Sequence, residues 1–225
     1  MKIAIISDLH LEFYDTFFRY NLSEMINDTE KDHLFIAGDI HSNREAREDF
    51  LSSIKGPISY VMGNHDYYFD SWFDDAFEDD IAVGGCLWTN FQNDPITARL
   101  AARSINDFGA IKDWTVDRVY AINNQHKKHI FKSDRKIVLT HFPPTDYCTA
   151  DMFKGDPLNG YFMNKFDQEI LDSDKKLWMF GHIHSRWDFH IGDCRMLANP
   201  LGYPGEIPET FEIKTVEIDD GICEG

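Results

Sequence analysis

The sequence has few basic residues and no long apolar segment. Among its 225 residues, 22 Lys and Arg face 39 Asp and Glu, and the formal net charge is −17. This shortage of positive charge argues against binding to duplex nucleic acid or to anionic membranes, because both call for a basic surface. No apolar run approaches the roughly 20 residues that cross a bilayer. The apolar start of the chain is interrupted at Asp8, too early for a secretory signal peptide.

Cysteine is also scarce, and internal repeats and low-complexity segments are absent from the sequence. None of the 4 cysteines stands in a CxxC pair, so the sequence predicts neither a zinc knuckle nor a redox disulfide. Such usage is typical of a reducing compartment, and we expect a cytoplasmic location. With 18 Phe, 9 Tyr and 5 Trp to fill a core, residues 1–225 are expected to form one domain.

Five short apolar segments indicate buried strands, and each is followed at once by polar side chains. A helical pattern over 43–54 separates the second segment from the third, which predicts parallel strands joined by a right-handed crossover. Ligands of open α/β sheets gather at the carboxyl ends of the strands. The segments and the residues that follow them are 2–7 with Asp8 and His10, 33–37 with Asp39, 58–62 with Asn64 and His65, 136–140 with His141, and 177–180 with His182 and His184.

These strand-end residues have the chemistry of metal ligands. Each motif alone is ordinary turn material, but five in succession indicate a site. In extended backbone, Asp8 and His10 would point to the same side of the strand, as would His182 and His184. Imidazole and carboxylate ligands without a thiolate fit Mn, Fe, Zn, Co or Ni. Seven side chains are too many for one ion and suit two with a bridging carboxylate: Asp8, His10, Asp39, Asn64, His141, His182 and His184.

A central insert of about 92–132 carries no site chemistry that the sequence reveals. Its segments 95–107 and 115–131 have apolar side chains at helical spacing. We interpret His126 and His129 as surface residues of the second helix.

The strand-end motifs resemble those of a known family. The resemblance spans residues 8–184 and implies an α/β fold, a four-layer α/β/β/α sandwich with two mixed β-sheets and a metal site at the strand carboxyl ends. In order along the chain, Asp8-Leu9-His10, Gly38-Asp39, Gly63-Asn64-His65-Asp66, His141 and Gly181-His182-Ile183-His184 resemble the five motifs of calcineurin-like metallophosphoesterases.

The resemblance also implies a reaction, the hydrolysis of a phosphomonoester or phosphodiester by attack of a metal-bound hydroxide. His65 would protonate the leaving group or steady the phosphate, and Asp66 would orient its ring. Mn²⁺ in vitro, or a mixed Fe/Zn pair, is the metal content that the resemblance favours. One ion would be held by Asp8, His10, Asp39 and His184, and the other by Asp39, Asn64, His141 and His182.

Departures from known subfamilies narrow the substrate. Serine/threonine protein phosphatases typically carry Asp-Arg-Gly after the second motif and end the third in Glu. Here Asp39 is followed by Ile40-His41-Ser42-Asn43-Arg44, and the third motif ends in Asp66. Residues 67–80 are rich in Asp, unlike the basic membrane-docking insert of lipid-A-pathway hydrolases. We therefore expect a small phosphorylated substrate or nucleotide, and no membrane. A nuclease or cyclic-nucleotide phosphodiesterase is the alternative, with a non-catalytic scaffold of the same fold less favoured.

Three further residues are candidates for substrate contacts. Arg186 follows the last motif and could bind phosphate, although a solvated strand residue explains it slightly better. His41 could support Asp39 or simply be exposed. Tyr203 lies in a Pro/Gly-rich loop, 199–205, that could return to the site. The sequence does not indicate an oligomeric state.

Overall fold

The first sheet is built mainly from the N-terminal third of the chain. The structure, a computed structural model, describes residues 1–69, 75–206 and 211–219. Neighbouring N-terminal strands pair in parallel, as the strand–helix–strand pattern predicts, and the C-terminal strand adds an antiparallel edge. The elements are β1 (Lys2–Ile6), α1 (Thr16–Asp28), β2 (His33–Ala37), α2 (Arg44–Ser53), β3 (Ile58–Val61) and β10 (Lys214–Glu217), with the sheet in the order β10-β1-β2-β3.

Within the described residues, the second sheet has six strands, of which the four inner ones are parallel and the two edge strands antiparallel. Its strands are β4 (Phe77–Glu78), β5 (Ala82–Gly85), β6 (Ile137–Thr140), β7 (Leu177–Phe180), β8 (Trp187–Ile191) and β9 (Cys194–Ala198), in the order β4-β5-β6-β7-β9-β8. Its helices are α3 (Pro95–Ser104), α4 (Asp107–Ala110), α5 (Val116–Lys132), α6 (Asn159–Phe162) and α7 (Asp167–Leu171).

Three apolar clusters separate four layers. Between the sheets, side chains such as Ile5 and Phe35 of the first pack with Leu139 and Met179 of the second. A second cluster joins α1 and α2 to the outer face of the first sheet. A third joins the helices of the insert to the outer face of the second sheet. The predicted α/β/β/α sandwich with two mixed sheets is therefore confirmed.

The insert folds into the predicted helices, but one of its histidines is buried where the sequence analysis predicts a surface residue. Asp94 and Thr115 cap the amino ends of α3 and α5 by accepting hydrogen bonds from backbone N–H groups. His126 is fully buried: its Nδ1 accepts from Leu87 N at 3.0 Å, and its Nε2 lies 3.3 Å from Asp75 Oδ1. The prediction that His126 is a surface residue is wrong.

Cysteines and helix lengths bear on the location of the protein. Cys86, Cys148 and Cys194 are free thiols buried in the fold, whereas Cys223 and residues 70–74 of the Asp-rich segment lie outside the described residues. Within the described part of the chain, no helix is both long and apolar enough to cross a membrane. The cytoplasmic location stays a prediction.

Candidate metal centre

The backbone turns sharply just after the strands that carry the predicted ligands. Five of these residues have a φ between 43° and 71°, in the left-handed region that side chains other than glycine rarely adopt. Strain of this kind persists where the surrounding structure imposes it, often at functional sites. The argument from alternation along an extended strand is therefore wrong, because left-handed turns aim these side chains instead. The five are Asp8, His10, Asp39, His182 and His184.

One group of side chains, the first cluster, consists of Asp8, His10, Asp39 and His184. His10 Nε2 lies 3.0 Å from His184 Nε2 and 3.5 Å from Asp39 Oδ2. Asp8 Oδ1 lies 3.6 Å from His184 Nε2, and backbone N–H of His182 donates to the same oxygen at 2.8 Å. Two imidazoles and two carboxylates thus face one point at the ends of β1, β2 and β7.

The second cluster consists of Asp39, Asn64, His141 and His182. His141 Nε2 lies 3.1 Å from Asn64 Oδ1, 3.2 Å from His182 Nδ1 and 3.5 Å from Asp39 Oδ2. Burial lowers the pKa of His182 well below its ordinary value, and the neighbouring His141 adds to the effect. A neutral imidazole is the form that binds a metal.

Spacings within both clusters fit a cation. An ion about 2.1 Å from each ligand atom separates neighbouring ligand atoms by about 3.0 Å in octahedral and about 3.4 Å in tetrahedral geometry. The spacings of 3.0–3.6 Å observed here lie within about 0.2 Å of this range.

The hydrogen-bond partners of His141 also fit a cation. His141 Nδ1 donates to Ala37 O at 2.8 Å, so in the neutral form of the ring Nε2 carries the lone pair. That lone pair faces Asn64 Oδ1 and Asp39 Oδ2, which are also acceptors. Acceptors held this close without a donor repel one another, and a metal ion between them removes the conflict.

Asp39 belongs to both clusters. Its Oδ2 lies 3.5 Å from His10 Nε2 on one side and 3.5 Å from His141 Nε2 on the other, while its Oδ1 accepts from His65 N at 2.9 Å. Burial alone would raise the pKa of Asp39, but the surrounding imidazoles, led by His141, outweigh burial and lower it. The carboxylate is therefore ionised, as a ligand must be.

His65 lies beside the clusters, between two side chains that the sequence did not connect with it. Its Nε2 is 3.2 Å from the Tyr203 hydroxyl, and its Nδ1 is 3.5 Å from Glu12 Oε1. Burial opposes protonation of His65, but the charges of Asp39 and Glu12 raise its pKa to about 9 in the metal-free chain. Burial likewise opposes ionisation of Glu12, whose contacts with His10 and His65 lower its pKa to about 2.

Asp66 binds the backbone rather than the ring of His65. The fully buried carboxylate accepts from the N–H groups of Gly63 at 2.8 Å, His41 at 3.0 Å and Ile40 at 3.1 Å. Arg47 Nη1 lies 3.6 Å from it. Burial and the charge of Asp39 raise the pKa of Asp66 to about 6. The expectation that Asp66 orients His65 is corrected: Asp66 ties the loop after β2 to the loop after β3, and Glu12 is the carboxylate beside the ring.

The three candidate substrate residues occupy different surroundings. Tyr203 stacks on His10, with ring centroids 4.3 Å apart, because backbone bonds from Leu201 and Gly202 hold its loop against the residues after β1. His41 is buried, and its Nδ1 accepts from Asn43 N at the start of α2. Arg186 is exposed and lies over the ring of Phe211 at 5.3 Å. The structure thus brings Tyr203 to the clusters, and substrate contacts by the other two stay predictions.

Sequence reasoning missed three acidic residues around the clusters. Glu12 lies in a short helical turn, Leu11–Phe13, and no sequence pattern marks it as a neighbour of His65. Glu206 accepts from His184 Nδ1 at 2.8 Å, the arrangement that fixes the ring and tautomer of many metal-binding histidines. Asp107 accepts from Asn64 Nδ2 at 3.0 Å and comes from the insert, where no sequence signal marks it.

Gly63 makes room for Asp39. A Cβ at position 63 would lie 2.1 Å from Asp39 Oδ1, far inside van der Waals contact. We expect Gly63→Ala to destabilise the fold by roughly 1–3 kcal/mol through overpacking and to weaken metal binding. Gly109 has open space at its Cβ and lies in helix α4, so Gly109→Ala is the matched control and should be neutral or slightly stabilising. Thermal unfolding and metal titration of both variants check this, and wild-type behaviour of Gly63→Ala would contradict the packing argument.

This fold and these clusters define a metal-dependent phosphoric ester hydrolase. The family model described as calcineurin-like phosphoesterase matches residues 1–186, and the chain belongs to that family. An uncharacterized protein of Acanthamoeba polyphaga mimivirus is 27% identical over 275 aligned positions, which cover 96% of each chain. Among solved structures, the phosphopantetheinyl hydrolase of Mycobacterium tuberculosis is similar with a TM-score of 0.70 and 15% identity, over 97% of this chain and 96% of that one. The similarity to the mycobacterial structure shows that the two proteins share a fold.

Proposed function

We propose that this phosphoesterase holds two metal ions and hydrolyses a small phosphomonoester or phosphodiester. The observation that carries the proposal is the position of Asp39 Oδ2, 3.5 Å from a histidine nitrogen of each cluster. One oxygen shared in this way would let Asp39 contribute to holding both ions. The first ion would be held by Asp8, His10, Asp39 and His184, and the second by Asp39, Asn64, His141 and His182.

The ligand types decide which metals to test. Imidazole, carboxylate and amide oxygen without a thiolate suit Mn, Fe, Zn, Co or Ni, and we propose Mn²⁺ as the ion that supports activity in vitro. When bound, the ions supply a nucleophile from water at neutral pH and polarise the P–O bonds of the ester.

The residues beside the clusters would handle the leaving group. We propose that His65 donates a proton to the leaving oxygen, a role in which a positioned imidazole contributes about 10²–10⁴-fold. Its backbone N–H is bound to Asp39 Oδ1 and its Nδ1 faces Glu12, so the ring is held with Nε2 toward Tyr203. Glu12 would orient the ring, and the Tyr203 hydroxyl would bind the substrate.

The charge of the chain supports a small substrate. A net charge of −17 disfavours duplex nucleic acid, whose binding depends on many Lys and Arg contacts to phosphates. A nuclease or cyclic-nucleotide phosphodiesterase activity is the alternative within the same chemistry. Phosphopantetheinyl esters join the substrate panel because the mycobacterial neighbour is named for that group.

Hydrolysis of p-nitrophenyl phosphate and of bis-p-nitrophenyl phosphate tests the proposal. Metal-free enzyme should be inactive and should regain activity with Mn²⁺, and the ratio of the two rates separates monoesterase from diesterase. In a panel of nucleotides, cyclic nucleotides and duplex oligonucleotides, the enzyme should hydrolyse the small esters faster than the duplexes. Absence of turnover with each of the five metals, or a preference for duplex DNA, would contradict the proposal.

A further inference from the structure

The insert contributes one buried carboxylate to the metal centre. Asp107 is the first residue of α4 and is 1% exposed. Three donors converge on it: Asn64 Nδ2 at 3.0 Å and the Tyr68 hydroxyl at 2.7 Å bind Oδ1, and the Tyr161 hydroxyl binds Oδ2. Each of these three groups has a proton to donate, and the two carboxyl oxygens of Asp107 lie at hydrogen-bonding distance to accept them.

This contact decides which end of the Asn64 side chain faces the second cluster. A side-chain amide has an oxygen at one end and an NH₂ group at the other, and a flip exchanges them. With Nδ2 donating to Asp107, Oδ1 lies 3.1 Å from His141 Nε2. A flip would turn the NH₂ group toward the cluster and set the amide oxygen against the Asp107 carboxylate, so the hydrogen bond to Asp107 would be lost. Only the oxygen end is a metal ligand.

The two tyrosines hold Asp107 in turn and connect it with the rest of the site. The Tyr68 ring packs on His65 with centroids 4.6 Å apart, and Tyr161 lies edge-on to His182 at 6.4 Å. The two tyrosine hydroxyls hold both carboxyl oxygens of Asp107 in place. The Asp107 side chain is therefore not free to rotate away if the Asn64 amide flips.

We propose that Asp107 is a positioning residue of the metal centre, which locks the Asn64 amide with its oxygen toward the second cluster. Metal affinity at that cluster then depends on a residue of the insert that binds no ion itself. The inference rests on the proposed function, in which Asn64 is a ligand of the second ion.

Metal titration of the metal-free protein tests the inference without any activity measurement. Free Mn²⁺ is followed by electron paramagnetic resonance, which yields the number of bound ions and their dissociation constants. Asp107→Leu removes the acceptor while nearly preserving the side-chain shape. We expect this variant to raise the dissociation constant of one of the two ions at least tenfold and to leave that of the other nearly unchanged.

A second substitution should rescue the first. A carboxylate has oxygen at both ends, so Asn64→Asp presents a ligand oxygen whichever way it turns. In the Asp107→Leu background, Asn64→Asp should therefore restore most of the lost affinity. In the wild-type background the same change places two carboxylates about 3.0 Å apart and should weaken binding through repulsion. Asn64→Asp should thus raise metal affinity in the Asp107→Leu background and lower it in the wild type. A general loss of stability would not produce these opposite effects.

A control variant tests whether loss of stability in the insert alone changes metal affinity, and a more conservative variant is used if Asp107→Leu does not fold. Asn123 is a buried amide on α5 of the same insert, with hydrogen bonds to Leu87 O and Asn164. Asn123→Leu should lower the melting temperature and leave both dissociation constants within about twofold. If Asp107→Leu does not fold, Asp107→Asn is combined with Asn64→Asp. The amide introduced at position 107 can donate to the carboxylate at position 64, so the pair should bind more tightly than Asn64→Asp alone.

The outcomes distinguish this inference from the proposed function. Wild-type affinities in Asp107→Leu, or no gain from Asn64→Asp in that background, would overturn the positioning role. A wild-type protein that binds fewer than two ions, or an Asn64→Ala variant with wild-type affinity, would overturn the proposed function and the inference with it. Two ions in the wild type, loss in Asp107→Leu and rescue by the double variant support both.

Discussion

Replacing Asp39 with Asn is expected to lower kcat/KM at least a thousandfold, equivalent to roughly 4 kcal/mol of transition-state stabilisation. The change is nearly isosteric, but it removes the negative charge from an oxygen that faces both clusters. A neutral amide oxygen is a poor bridge between two cations, so we expect metal content to fall together with activity.

Steady-state kinetics with saturating Mn²⁺ and metal analysis of the same samples measure this effect. Asp188→Asn is the control, because Asp188 is a carboxylate of β8 that pairs with Arg195 and Lys214. It should change kcat/KM by less than about twofold. An Asp39→Asn variant that keeps both ions and most of its activity would refute the bridging role.

His65→Ala is expected to keep its metal ions and to lose activity in proportion to how poor the leaving group is. The ring lies beside the clusters, so its removal leaves the seven proposed ligands in place. For alkyl phosphate esters we expect a loss of about 10²–10⁴-fold, the usual contribution of a general acid. For a p-nitrophenyl ester the loss should be much smaller, because p-nitrophenolate departs without a proton.

Rates for a series of aryl and alkyl esters, plotted against the pKa of the leaving group, measure this dependence. His190→Ala, at an exposed position of β8, is the control and should follow the wild-type line. An equal loss for good and poor leaving groups would contradict the acid role and would favour a role in steadying the phosphate.

The positions of the strand-end residues could be predicted because the polar residue directly follows an apolar run. Where β1, β2, β3, β6 and β7 end is encoded locally by hydrophobicity, and the parallel order of the first three strands follows from the helices between them. The convergence of the strand-end side chains was predicted from alternation along an extended strand, and that reason is wrong. Left-handed turns at residues such as Asp8 and His184 aim them, and the tertiary contacts that hold such turns have no pattern in the sequence.

Partners from distant parts of the chain could not be predicted. Asp107 reaches Asn64 across 43 positions, and only the packing of α4 brings them together. The same applies to Glu206 beside His184. The family motif placed Asp66 next to His65 in sequence, but the short helical turn there directs the two side chains apart. His126 is buried against Asp75 and Leu87, and both of these partners lie far from it in the sequence.

Anomalous X-ray scattering from crystals grown with excess Mn²⁺ tests the central claim most directly. The account predicts two manganese peaks about 3.5–4 Å apart, one in each cluster, with Asp39 Oδ2 between them. A single peak, peaks away from these side chains, or no peak at all would contradict the proposed two-metal centre.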